Sequence, residues 1–422
     1  MRRLALVALL STACREPAGP LAAPAAAPIA AQAQPPGPTD APPQRERPQA
    51  PAPAAKPPAA SPSPPEEPLL PPPATRTART FLDYCLGPAS AAEQTTVAIL
   101  RERVEPGDCA AQYAALQQLR TLDLSMSGIT TAAPLVGLDS LTELVLSFNE
   151  IRDLSPVGTL HNLRVLEIHS LRSPTLEPLR SLSRLRELVA TSRTVRDIGA
   201  IASLERLERL HLQHIRTTDL SPLAKLPALK ELWLGMTPGL KDLSALRGLT
   251  TLEHLRVEHD NAVRSLDDLR GLVALRELDV FGGKGVADID ALTELTALED
   301  LTLTLRPGTA LPPLREHTQL RLLHLERCGL TDIGPVADAT ALEELYLDDN
   351  RITSLEPLRP LAKLRVLRIA NNPVTDLSPL SGLAALETLQ LWGKHRVVRD
   401  EAHCPTDGAG AVAAVCRGLR SR

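Results

Sequence analysis

From Leu119 onward the chain repeats itself every 22 or 23 residues, and that period limits the fold more than any other feature. The frame Leu119-x-x-Leu122-x-Leu124-x-x-Ser127-x-Ile129 returns at Leu141, Leu342 and Leu364. Between these lie frames starting at Leu163, Leu185, Leu207, Leu229, Leu252, Leu275, Leu298 and Leu320. A partial copy begins at Leu386, making twelve complete repeats and a thirteenth strand. In Leu-x-x-Leu-x-Leu the last two leucines fall on one side of a short strand, because strand side chains alternate. One repeat alone cannot bury them. Stacking does, with parallel strands about 4.8 Å apart, and stability becomes a sum of neighbour interfaces. Aromatics make up only 2% of the chain, so leucine takes their place in the core.

The second half of each unit returns the chain to the next strand. Pro156, Pro178, Pro222, Pro335, Pro357 and Pro379 recur there. Proline opposes a continuous α-helix, which leaves short 3-10 or extended turns. Asp153-Leu154-Ser155-Pro156-Val157, Asp219-Leu220-Ser221-Pro222-Leu223 and Asp376-Leu377-Ser378-Pro379-Leu380 resemble the D-L-x-P-L segment of bacterial internalins and related 22-residue leucine-rich repeats. The resemblance covers about residues 116 to 396. It implies an α/β solenoid, a curved horseshoe with a parallel sheet on the concave face and short turns on the convex face. It is specific for fold and not for function.

In that family an asparagine at the ninth position of the frame bonds backbone groups between turns. Asn149, Asn350 and Asn372 fill the slot near the ends, and Cys328 is a substitute the family accepts. The centre carries Leu171, Arg193, Ile215, Thr237, Asp260, Gly283 and Arg306 instead. Looser central turns are expected, through neutral drift or adaptation of an edge to a partner.

The N-terminus reads as a targeting signal. Arg2 and Arg3 precede the apolar run Leu4 to Leu10, which is too short to span a bilayer. Ser11-Thr12-Ala13-Cys14 resembles the lipobox of bacterial lipoproteins, with Ser11 where leucine is usual. That resemblance implies a diacylated Cys14. A plain cleaved secretory signal and a cytosolic chain are the alternatives. Arg15 after the cysteine is similar to lipoproteins sent on to the outer membrane. Of 39 prolines, 21 fall between Pro17 and Pro73. Such a stretch cannot bury a core and is expected to be a disordered spacer. At ~3.1 Å per residue it reaches at most roughly 190 Å. The expected organisation is a signal over residues 1–14, a linker over 15–78, a cap over 79–118, repeats over 119–396 and a second cap over 397–422.

Setting aside Cys14 and Cys328, four cysteines remain, and they allow three pairings. The two chain ends are separated by about thirteen strand spacings, roughly 60 Å. A disulfide needs Cα atoms within about 7 Å. Cys85–Cys109 and Cys404–Cys416 are therefore expected, each stapling a cap, as suits an oxidising compartment. Free thiols in a cytosolic chain are the alternative. Residues 91 to 117 look helical, broken at Pro106-Gly107-Asp108, and Ala411 to Leu419 suggests a closing helix.

Catalytic signatures such as G-x-S-x-G, H-E-x-x-H or a Walker loop are missing, so no enzyme and no cofactor are expected. Gly282-Gly283-Lys284-Gly285 has no Ser or Thr after its lysine and sits where a repeat must turn. The cysteines show no C-x-x-C, and no metal is expected. A net charge of -4 argues against nucleic acid. The candidate site is the concave face. Its fifth-position column reads His211, Trp233, Arg256, Asp279, Thr302, His324, Tyr346 and Arg368. Flanking columns add His254, Glu258, Phe281, Asp348 and Trp392. His169, Phe148, His214 and His259 are placed on the same face or its edge. Aromatics and arginine typically anchor interfaces, although exposed sheet positions favour aromatics anyway. The expected partner is a protein bound to a monomer, with a glycan stacked on Trp233 and Phe281 as an alternative. A structural scaffold and a glycan hydrolase using Glu277 and Asp300 are the remaining readings.

Overall fold

The computed structural model describes residues 78–170, 172–238, 240–241, 243–258, 262–391 and 410–420, with backbone alone at 415 and 417–420. All lie in one unit, Leu69–Arg422. The signal, Cys14 and nearly all of the linker lie outside the described residues.

The repeats build one open sheet of 13 parallel strands in sequence order. They run from β1 (Thr121–Asp123), β2 (Glu143–Val145) and β3 (Val165–Ile168) through β4 (Glu187–Thr191), β5 (Arg209–Gln213) and β6 (Glu231–Gly235). β7 (His254–Glu258), β8 (Glu277–Phe281), β9 (Asp300–Leu303) and β10 (Leu322–His324) follow. β11 (Glu344–Tyr346), β12 (Val366–Arg368) and β13 (Thr388–Gln390) complete it. Register is set by the leucines: Leu210, Leu232, Leu255, Leu278 and Leu301 pair in one line. All five are essentially sealed from solvent. A one-residue slip would turn that line outward, so the frame permits one register.

The Asp-Leu-Ser-Pro segment has a local explanation. Asp153, Asp219 and Asp376 each accept a hydrogen bond from the backbone N–H two residues on, at 2.8 Å. That Asx turn opens a 3-10 turn, as at Ser221–Lys225 and Ser378–Leu380. Proline enters in the first turn, where its missing N–H has no partner to lose. The flanking leucines, Leu220 and Leu223 among them, are buried.

The central turns are not loosened as expected. β4 to β8 each run five residues, against three in β1, β2 and β10 to β13. Where the asparagine slot holds Ile215 or Thr237, that side chain is buried, and ladder pairing extends to the seventh position of the frame. Backbone pairing there replaces the side-chain amide. The eighth position still turns left-handed in most repeats, at Phe148 (φ 60), His214 (φ 57), Met236 (φ 48) and Asn371 (φ 57) among others. Leu171 and Asp260 lie outside the described residues. The glycine-rich segment follows the same logic. Gly282, Gly283 and Gly285 all have positive φ. A Cβ on Gly285 would stand 2.6 Å from the Leu305 backbone carbon, so strand packing accounts for the glycines.

The N-terminal cap has three helices, α1 (Phe81–Leu86), α2 (Ala91–Arg101) and α3 (Cys109–Leu116). Sequence periodicity missed α1. Its start is a capping box, with the Asp83 carboxylate accepting from the Thr80 N–H at 2.7 Å. Phe81 is fully buried and stacks on Tyr113 at 6.0 Å. The expected Cys85–Cys109 disulfide is present and ties α1 to the start of α3, Cα to Cα 5.9 Å. A Cys85→Ala/Cys109→Ala variant is expected to lose about 2–3 kcal/mol of cap stability. Amide exchange in α1 to α3 measures it, and unchanged protection there would contradict it. At the other end α4 (Gly410–Arg420) buries Val412 and Cys416. Cys416 is disulfide-bonded, while Cys404, its expected partner, lies outside the described residues. Among the described residues no helix is long and apolar enough to cross a membrane.

Candidate interaction face

Parallel register converts the third, fifth and seventh positions of the frame into columns across the outer face of the sheet. His211 pairs with Trp233, Trp233 with Arg256, and Arg256 with Asp279. Glu258 pairs with Phe281, and Tyr346 lies between His324 and Arg368.

The first group centres on Trp233. The His211 ring meets it edge-on at 5.3 Å. Its indole N–H donates to Glu258 Oε1 at 2.8 Å. The Arg256 guanidinium lies 4.7 Å from the Trp233 ring and 5.3 Å from Phe281, a cation between two π-faces. Arg256 also pairs with Glu258 at 3.2 Å. His211 meets Glu231 at 2.6 Å and His254 meets Glu277 at 3.2 Å. The hydrogen bond with Glu277 holds His254 above its ordinary imidazole value, and the one from His211 holds Glu231 below the usual carboxylate range. Beside Trp233 lies a shallow concavity of about 290 Å³, lined by His211, Glu231, His254, Arg256 and Glu277 among others.

Asp279 sits under this group and is 5% exposed. Burial, and then repulsion from Glu277, push its carboxyl up to about 6. Arg256 and a hydrogen bond with Thr302 offset only part of this. The Nε of Arg256 is buried without a hydrogen-bond partner. Two uncomfortable polar groups side by side are unusual in a face that only needs to be stable.

The second group centres on Tyr346. Its ring lies 5.2 Å from His324 and 5.8 Å from the Arg368 guanidinium. The hydroxyl donates to Glu344 Oε2 at 2.6 Å, and Arg368 pairs with Asp348 at 2.7 Å. His324 faces Glu326 at 3.3 Å.

The expected strip is therefore two groups separated by β9, which carries Asp300 and Thr302. The members also differ in access. Asp279, Phe281, His324, Tyr346 and Asp348 are buried within the face. His211, Trp233, His254, Arg256, Glu258 and Arg368 keep part of their surface open. Phe281 is 7% exposed, which leaves little of its ring for stacking a sugar. Phe148 is 52% exposed at the sheet edge, stacked on His169 at 5.7 Å. Trp392 and His259 lie outside the described residues. Among the described residues no group of three His, Cys, Asp or Glu could hold a metal ion. Glu277 and Asp300 are legible in the sequence as a carboxylate pair, but their repulsion of Asp279 and the Glu231 and Glu344 contacts are not legible from that pair alone. Column-by-column counting of charge would have found them.

This is an open solenoid whose most differentiated surface is a rigid sheet face. The family model for leucine-rich repeats in two copies matches residues 205–248 and 318–360. An internalin from Listeria monocytogenes shares the fold with a TM-score of 0.62 and 24% identity, over 75% of this chain and 92% of that one. A leucine-rich-repeat protein from Leptospira interrogans matches at 0.52 with 22% identity, over 67% of this chain and 86% of that one. No curated protein sequence matches the chain. The chain carries leucine-rich repeats and has their solenoid fold.

Proposed function

We propose that this is a binding module of a bacterial cell envelope, which holds a protein partner on its concave sheet. Lipid on Cys14 tethers it to the outer membrane or cell surface, and the proline-rich stretch lifts the solenoid from the anchor. A secreted or periplasmic chain without lipid is the alternative. The observation that carries the binding reading is the Trp233 group. His211, Glu258 and Arg256 hold the half-open indole in place from three sides. Pre-organised aromatic and arginine anchors bind without a large ordering cost. Fold alone would not give this reading.

A photo-reactive side chain placed at Arg209, which pairs with Glu231 on the neighbouring strand of the concave face, is expected to crosslink one protein partner in the native host, and the same group at Arg180 on the convex side is not. Equal labelling from both positions would remove the concave face as the site. The anchor is tested separately by intact mass and fractionation. A diacyl or triacyl increment that disappears with Cys14→Ala is expected, together with release from the membrane fraction. A soluble, unmodified wild-type chain would contradict it.

A further inference from the structure

The concave face is far more acidic than the chain as a whole. Overall, 46 Lys and Arg nearly balance 50 Asp and Glu. On the face from β5 to β12 the balance is lost. The third-position column holds Glu231, Glu277, Asp300 and Glu344. Asp279 stands in the fifth column, and Glu258, Glu326 and Asp348 in the seventh. Opposing them in these columns are Arg209, Arg256 and Arg368, while His211, His254 and His324 are paired with Glu231, Glu277 and Glu326.

All three arginines are already committed within the protein. Arg209 is held by Glu187, Arg256 by Glu258 and two aromatic rings, and Arg368 by Asp348. An anionic partner would find no uncommitted arginine in these columns. A cationic one would find carboxylates at the rim of the concavity, where the side chains of Glu231 and Glu277 remain 36% and 39% exposed. Clefts lined by one sign of charge concentrate ligands of the other sign. The same excess is felt by Asp279, whose carboxyl is raised by burial and then by Glu277.

Resting on the binding reading above, we infer that the partner presents a lysine- or arginine-rich polypeptide segment. Its cationic side chains enter the concavity beside Trp233 and pair with Glu231 and Glu277, while Asp300 and Glu344 extend the track toward β11. The spacing suits a chain lying across the strands. Glu231, Glu277, Asp300 and Glu344 stand one or two strands apart, about 5 to 10 Å, a span that the long side chains of lysine and arginine on an extended peptide can bridge.

The test is binding of labelled deca-arginine to the full chain, with deca-glutamate as the opposite probe. Deca-arginine is expected to bind and deca-glutamate is not. Glu231→Gln/Glu277→Gln is expected to weaken binding about tenfold while remaining folded by circular dichroism. Asp300→Asn/Glu344→Gln, away from the Trp233 contacts, should weaken it less. Raising salt from about 50 to about 300 mM should weaken it by a further factor of about ten. Convex Glu177→Gln/Glu356→Gln should leave it unchanged. Absence of deca-arginine binding, preference for deca-glutamate, or equal losses from the concave and convex pairs would overturn the inference. None of those results touches the broader binding reading, which stands or falls on Trp233 and the crosslinked partner.

Discussion

Replacing Asn350 with alanine lowers the stability of the solenoid by about 4 kcal/mol. The side chain is 5% exposed and bonds backbone groups in two adjacent repeats. Its Nδ2 donates to the Leu325 carbonyl at 2.7 Å and the Leu347 carbonyl at 2.9 Å. Its Oδ1 accepts from the Cys328 and Leu330 N–H groups at 3.0 and 3.1 Å. Alanine leaves the Leu325 carbonyl and the Cys328 and Leu330 N–H groups buried and unpaired, each costing about 1–3 kcal/mol before relaxation, while the Leu347 carbonyl keeps its bond from Asn372 at 2.8 Å. Cys328 stands one repeat earlier in the same slot. Its sulfur accepts from the Leu305 N–H at 3.3 Å, and burial pushes the thiol up to about 11, so it stays protonated. Urea unfolding of Asn350→Ala measures the loss. A change under about 1 kcal/mol would mean that strand pairing alone holds these turns.

Asp279→Asn is expected to do the opposite at neutral pH, raising stability by about 2–3 kcal/mol. In the folded chain the carboxyl is raised from 3.8 to about 6. The folded state therefore binds the proton more tightly than the unfolded one. Stability is greatest below the unfolded value and falls as pH rises from about 4 through about 6, then levels off. The amide carries no charge, so the variant lacks that fall and matches wild type near pH 4. Melting curves across this range decide it. Parallel curves for the two proteins would show that Asp279 titrates normally. A natural face that keeps such a carboxylate accepts a stability cost, as functional sites often do.

Most of the architecture was legible because the period repeats a single local rule. Leu122, Leu144 and their successors alternate with polar neighbours, and thirteen copies leave no other register. The disulfide of the N-terminal cap followed from distance along the solenoid. Helix α1 was missed because six residues show too little periodicity; its signal was the Thr80-x-x-Asp83 box. The central turns differ from the expectation because side-chain identity at the slot does not by itself decide turn geometry. Backbone pairing, which carries no sequence signature, took over there. Within the face, columns were readable but depth was not. Phe281 and Trp233 both lie at outward positions and both contact Arg256, yet Phe281 is buried and Trp233 keeps part of its surface open. That depends on how all the neighbouring side chains lean over each ring, which frame position alone does not fix.

The most direct measurement is the affinity of the purified crosslinked partner for wild type and for Trp233→Ala/Arg256→Ala, alongside the melting temperatures of both. The binding account predicts a loss of at least roughly thirtyfold, about 2 kcal/mol, with the solenoid still folded. Unchanged affinity in a folded variant would contradict it and leave the sheet face as structure alone.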